Sequence, residues 1–580
     1  MSTTSLRRAA VACSFAWAVT SLAVGCGDRQ EPAPAPAVGA AEPRASAHPG
    51  LELVVPGSPF HGVHGITVTP EGEILVGSVV GQAVYRVDRE TGAVTEMIGP
   101  PEGMADDLEV GPDGTLAWTA FLIGKVYARS ASGEVRVLAE DLPQANSIAW
   151  SDDGRLFVSQ VFGADAVWEL DPGGESPPRR IAEGLGGFNG FDVGPDGWLY
   201  GPIWFRSQIA RIDPDSGTVE TVAEGFGIPA AANFDSKGNL WVVDTERGEV
   251  VRVDVASGAT EVVARTRPSL DNLALSADDE LYVTNMADNG VYRVDTRSGE
   301  VTPLVEGLLA MPAGLSLWQD SDRPTLYVAD TFAYRTVDPV SGEVETVRRM
   351  WAQDLEQLDY PLGSWADSNH VVLSGWSSGT VQVIDRASGE SLRMLHGFAG
   401  PTAAVELPDD RLVVAEAGSG KLLVVSLDGG TREVLVEGLG APAGLELGGN
   451  EESEEWELFV TESAAGIVSA VALDGGARRV IAEGLAIPEG IDLAPDGRLV
   501  VAEVGKRRLV AIDPGTGEIE ELATDLPIGL PALPGAPPSY VTTGVAVGPD
   551  GSVYFTSDLE NAIYRLSAKL PAELPAEPSE

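Results

Sequence analysis

The sequence predicts an all-β fold: two tandem six-bladed β-propellers built from four-stranded antiparallel blades. Three observations carry this. A unit of about forty residues returns twelve times, each copy holds four short alternating runs, and no segment keeps a sustained helical period.

The copy at residues 65–98 reads GITVTPEGEILVGSVVGQAVYRVDRETGAVTEMI, and close variants start near residues 64, 106, 146, 189, 230, 271, 313, 361, 402, 443, 489 and 543. Turn glycines at Gly72, Gly114, Gly154, Gly197 and Gly238 recur every 40 to 43 residues. They sit in P-D-G-type turns that join the first two runs. The third and fourth runs are joined by D-x-x-[ST]-G, as at Asp88–Gly92, Asp254–Gly258, Asp295–Gly299 and Asp513–Gly517. There the Asp carboxylate can cap the turn. A single ring of twelve blades would leave a wide unfilled channel, so two rings of six are expected.

Strand counting suggests the cut. Leu51–Val55 precedes the first unit as a stray fourth strand, and the last unit stops after its third strand at Leu566. If Leu51–Val55 completes the sixth blade, Val301–Val305 is released to complete the twelfth, and the boundary falls near Gly299. That gives rings at 51–299 and 300–567. The alternative sends Leu51–Val55 to the second ring, with the cut near Ala310. The first arrangement is preferred; either one removes an exposed edge.

The ends carry no blades. Arg7 and Arg8 precede an apolar stretch, Ala9–Gly25, and Leu22-Ala23-Val24-Gly25-Cys26 is similar to a bacterial lipobox. Residues 1–26 are therefore expected to be a lipoprotein signal with Cys26 acylated; a plain secretory signal or a short membrane helix is the alternative. Residues 27–50 form a Pro/Ala-rich tether and 568–580 a similar tail, both expected to be disordered. An extracytoplasmic protein, held at the bacterial envelope by its lipid alone, follows. Both cysteines, Cys13 and Cys26, lie in this leader, which leaves the body without a disulfide or thiolate metal site. A net charge of −49 makes nucleic acid the least expected partner. A monomer is expected.

Propeller ligands bind at the central channel, so the residue before each innermost strand is informative. In the first ring these are His64, Asp106, Asn146, Asn189, Ala230 and Asp271; in the second, Ala313, Pro361, Thr402, Ala443, Glu489 and Thr543. The first set is polar and can hold a divalent cation, calcium foremost, with zinc or manganese competing through His64. The second has one carboxylate. Phe121, Phe162, Trp204, Phe205 and Arg206 fall in loops on the same face, an apolar wall with a guanidinium suited to a small molecule's carboxylate.

The blade pattern, G-I-x-V-x-P-D-G-x-L-Y-V followed by Y-R-V-D-x-x-[ST]-G, resembles the gluconolactonase/regucalcin-like propellers and their NHL and virginiamycin B lyase-like relatives over residues 51–567. The resemblance implies a metal held by a Glu, two Asn and an Asp that is also the catalytic base. Asn146 and Asn189 match the two Asn. His64 stands where the family has Glu, and Ala230 where it has the Asp; Asp106 and Asp271 are the nearest substitutes. Three functions stay open. One is a metal-dependent lactone or ester hydrolase with Asp271 or Asp106 as base. Another is a virginiamycin B lyase-like enzyme with His64 as base. The third is a non-catalytic propeller binding a small ligand or an envelope protein.

Other motifs are weaker. Gly375-Trp-Ser-Ser-Gly379 matches G-x-S-x-G but falls between strands, and Gly418-Ser-Gly-Lys421 lacks phosphate-loop spacing.

Overall fold

The computed structural model describes residues 50–320, 323–352, 358–450, 455–531 and 541–567. The leader with Cys13 and Cys26, the tether before residue 50, and the tail 568–580 lie outside them. Among the described residues no helix is long and apolar enough to cross a membrane.

Twelve four-stranded antiparallel sheets follow one another along the chain, each with its strands in sequence order except the last. These are propeller blades, numbered here 1 to 12. Second strands such as Ile74–Ser78, Leu116–Ala120 and Leu281–Asn285 are buried throughout, because a blade packs on each of their faces. Outer strands such as Thr260–Arg265 keep one face in solvent. Glu and Arg are accordingly common on outer strands, while Val, Leu and Ala fill the second ones.

The D-x-x-[ST]-G turns form as expected. The Asp88 carboxylate accepts the N–H groups of Glu90 (3.0 Å) and Thr91 (2.7 Å), which holds it below the usual carboxylate range. Gly92 follows at φ +70°. This glycine also docks one blade on the next. A Cβ there would lie 2.2 Å from the Leu304 carbonyl oxygen, on the outer strand of blade 6. Blade 1 thus closes on blade 6. At the same position in blade 7, a Cβ on Gly342 would lie 2.3 Å from the carbonyl oxygen of Val54.

That second contact corrects the preferred boundary. Leu51–Val55 pairs with Ala562–Leu566 in blade 12, and Val301–Val305 stays with Gly290–Val294 in blade 6. The division falls after Met311, not at Gly299. The first unit holds Ser58–Met311 together with Arg348–Tyr360; the second holds the N-terminal strand, Pro312–Val347 and the chain from Pro361. The physical reason is locality. A short turn hands Val301–Val305 to its own hairpin at little closure entropy, whereas blade 12, with no fourth strand after Leu566 among the described residues, takes the distant one.

Hydroxyls close both rings. Thr284 in blade 6 donates to the His64 carbonyl (2.6 Å), and Thr556 in blade 12 to the Ala313 carbonyl (2.7 Å). Buried acids at the ends of second strands clip the loops ahead of innermost strands. Asp244 accepts from Gly227 (2.7 Å), Glu416 from Ala399 (2.8 Å) and Glu503 from Ala486 (2.8 Å). Their burial is structural, since each satisfies backbone donors.

The first ring's chain ends are tied together. The Ser58 hydroxyl donates to the Leu309 carbonyl at 2.5 Å, and Asn289 donates to the carbonyls of Phe60 (2.6 Å) and Leu309 (3.2 Å) while accepting from Gly62 N–H (3.0 Å).

Candidate functional site

The innermost strands of neighbouring blades touch at their starts. Gly65 N–H donates to the Asp106 carbonyl at 2.7 Å, and a Cβ on Gly65 would lie 2.6 Å from that oxygen. Only glycine fits, and the residues flanking this junction converge. His64 Nδ1 lies 3.2 Å from an Asp271 oxygen and 3.7 Å from an Asp106 oxygen, which brings side chains of blades 1, 2 and 6 together. Burial, and then the charges of Asp271 and Asp107, hold the Asp106 carboxyl well above the usual range.

Asp107 is a member that sequence reading missed. Its carboxylate accepts from Leu108 N–H (2.9 Å), Ile148 N–H (3.2 Å) and the Asn272 amide (3.0 Å), stitching blades 2, 3 and 6. Burial pushes it up to about 7 despite those donors. The Asp-Asp pair at 106–107 was the available signal. Strand alternation gives the two side chains different surroundings.

Asn146 and Asn189 form a separate pair. The Ser147 hydroxyl stands between their amide oxygens at 2.8 and 3.0 Å, giving its one proton to either, and itself accepts from Gly190 N–H (2.6 Å). Asn189 also accepts from Gly190 N–H at 3.0 Å. Ala230 is buried in an apolar cluster with Trp204, Trp241 and Leu270. The Asn-Asn-Asp metal set implied by the family resemblance therefore does not fit here. Its two amide oxygens bracket a serine, and its carboxylate position is packed with hydrocarbon.

The rim is aromatic. Phe121 and Trp204 begin short 3-10 turns, Phe121–Ile123 and Trp204–Arg206, and are buried. Half-buried Phe162, at φ +74°, sets its ring edge-to-face against Phe121 (6.2 Å), Trp204 (5.9 Å) and Phe205 (5.8 Å). Arg206 is exposed, and its guanidinium donates to the Gly184 carbonyl at 3.3 Å.

The largest addition is the segment Arg348–Tyr360, which belongs to the first unit. Of it, residues 348–352 and 358–360 are described. The buried Ser269 hydroxyl donates to the Met350 carbonyl at 2.6 Å, and Arg349 pairs with Asp288 at 2.6 Å. Trp351 sets its ring 5.0 Å from Trp204 and 5.9 Å from Tyr360. Burial and then the charges of Asp359, Asp271 and Asp106 raise the Tyr360 phenol, so Tyr360 stands within electrostatic reach of the acids around His64. Asp359 itself is pushed up to about 7 by burial. The sequence signal was one of the longer spacings between unit starts, from 313 to 361.

In the second ring, members of the corresponding set join neighbouring blades. Glu489 accepts from Thr543 N–H at 2.5 Å, and Thr402 donates to the Pro442 carbonyl at 2.8 Å. Lower in blade 8, His370 Nδ1 lies 2.8 Å from Glu406, with Asp367 beside them; Asp367 also caps the turn through the N–H groups of Asn369 and His370. Ser378 of Gly375–Gly379 lies between strands as expected, its hydroxyl donating to the Gly375 carbonyl at 3.2 Å.

No family model matches the chain, and no curated protein matches it. Among solved structures, a streptogramin B lyase is similar at 18% identity over 48% of this chain and 94% of that chain, with a TM-score of 0.36. The virginiamycin B lyase from Staphylococcus aureus is similar at 15% identity over 56% of this chain and 96% of that one, with a TM-score of 0.23. The propeller assignment rests on the twelve sheets.

Proposed function

We propose that the first ring binds a small organic molecule at its channel mouth, with His64 as the group that exchanges a proton with it. The observation that carries this is the imidazole nitrogen held 3.2 Å from Asp271 and 3.7 Å from Asp106, with Tyr360 within electrostatic reach of the same acids. A carboxylate at Nδ1 orients the ring and favours the tautomer whose Nε2 is basic, as in many acid–base sites. Asp106, buried among like charges, is suited to hold a proton that it can return. Trp204, Phe162 and Phe205 supply apolar area for the body of the ligand. The leader, if it directs lipidation at Cys26, would display this ring at the cell envelope.

The reading is tested on the full chain with a small-molecule library, followed by thermal shift and tryptophan fluorescence. Ligands whose shift disappears in His64→Ala and Asp271→Asn, with unchanged ring stability, support the site. Turnover lost in His64→Gln with binding retained supports a reaction. Stabilisation by calcium or manganese that is lost in Asn146→Ala/Asn189→Ala would return the metal-dependent hydrolase reading in its place. Insensitivity of every ligand to His64→Ala would leave a non-catalytic propeller binding elsewhere.

A further inference from the structure

We propose that the ligand of this mouth is an organic cation: a protonated amine or quaternary ammonium on an apolar body. Its charge lies at Asp106 and Asp271, and its body against Trp204, Trp351 and Tyr360. This deepens the reading above and rests on it.

Charge decides the class. The polar centre is an imidazole between two carboxylates, with Asp107 adjoining them. The arginines nearest the aromatic rim are already engaged. Arg206 is exposed on the Gly184 carbonyl, and Arg349 and Arg267 both hold Asp288, at 2.6 and 2.9 Å. A carboxylate or phosphate ligand would meet acids without a free guanidinium among the described residues to receive it, whereas an ammonium would offset both the repulsion between those acids and the cost of burying their charge. The net charge of −49 draws cations toward the protein as a whole.

Aromatic geometry supports the same class. Trp204, Trp351 and Tyr360 form a continuous edge-to-face series, and aromatic faces attract cations through the ring quadrupole. Trp351 and Tyr360 hold their backbones at φ +61° and +45°, a region bulky side chains adopt only where the surroundings enforce it, and one that clusters at ligand clamps. A further polar group belongs to this rim. Thr245 follows its blade's second strand just as Trp204 does in the preceding blade; it is wholly buried, and among the described residues its hydroxyl has no hydrogen-bond partner. A hydroxyl in that state suits a ligand's own hydrogen-bonding group.

The test titrates the full chain with benzyltrimethylammonium, benzyl alcohol and benzoate by calorimetry. The expected result is saturable binding of the cation at least tenfold tighter than of the alcohol, and none of benzoate. Trp351→Ala should weaken the cation at least tenfold and Trp351→Phe much less, with both variants melting like the wild type. Asp271→Asn should narrow the gap between cation and alcohol. If benzyl alcohol or benzoate binds as well as the cation and in a Trp351-dependent way, the cation assignment is overturned while the small-molecule site stands. If none of the three binds at millimolar concentration, the cation assignment falls, and the library screen with His64→Ala judges the site.

Discussion

The Ser58 hydroxyl donates to the carbonyl of Leu309 at 2.5 Å and accepts from the N–H of the same residue at 3.3 Å, joining the two ends of the first ring's chain. Two residues so far apart in sequence meet here because the ring is a closed insert within the chain of its neighbour. Ser58→Ala should cost the first ring about 1–2 kcal/mol, and Asn289→Ala, which removes three bonds across the same junction, about 2–4 kcal/mol. Urea titration followed by hydrogen exchange on blades 1 and 6 checks this. Equal loss of protection in blades 9 and 10 would contradict it.

Removing residues 50–57 should act on the other ring. The third strand of blade 12, Ala562–Leu566, would lose its partner and present a bare edge. Protection of Ala562–Leu566 and Val553–Ser557 should fall and aggregation rise, with blades 1 to 6 unaffected. A loss centred on Gly290–Val294 would instead restore the boundary near Gly299.

Gly342→Ala places a methyl group against the Val54 carbonyl and strains a backbone at φ +73°. The expected cost is roughly 1–3 kcal/mol, felt by blades 7 and 12. The matched Gly92→Ala should destabilise blades 1 and 6. Swapped effects in hydrogen exchange would refute the ring-closure scheme.

Stability should fall as pH rises from about 4 to about 7. Burial pushes Asp107 and Asp492 up to about 7 and Asp192 to about 6 in the folded protein, from an ordinary value of 3.8. Burial, and then the charge of Asp492, raise Glu446 well above its ordinary range as well. Between the unfolded and folded values the native state binds more protons, so the slope of unfolding free energy against pH is negative there and levels off above roughly 8. Denaturation midpoints at pH 5 should exceed those at pH 8. A midpoint that climbs between them would contradict the assignment.

Blades and turns were legible in the sequence because both are local. Strand alternation and the Asp88–Gly92 pattern act within a few residues, and the structure repeats them. The positions ahead of the innermost strands were legible as well, since the forty-residue period fixes them, and His64, Asp106 and Asp271 do meet. The destination of Leu51–Val55 was not, because any blade lacking a fourth strand offers the same edge; only the docking of Gly342 on Val54 and the local hairpin at Asp295–Gly299 decide it. Ser147 was missed because a small hydroxyl carries no pattern until two asparagines from different blades close around it. The placement of Trp351 and Tyr360 depends on tertiary contacts with Trp204 and the acids, which no period encodes.

The pairing of Leu51–Val55 with Ala562–Leu566 also sets the order of events at the ribosome. Residues 58–311 emerge complete before any of blade 7, so the first propeller can fold during synthesis, with its own outer strand in place. The second cannot close until Ala562–Leu566 has been made. Throughout that interval Leu-Glu-Leu-Val-Val waits without its partner, and blade 12 is the one that retires it.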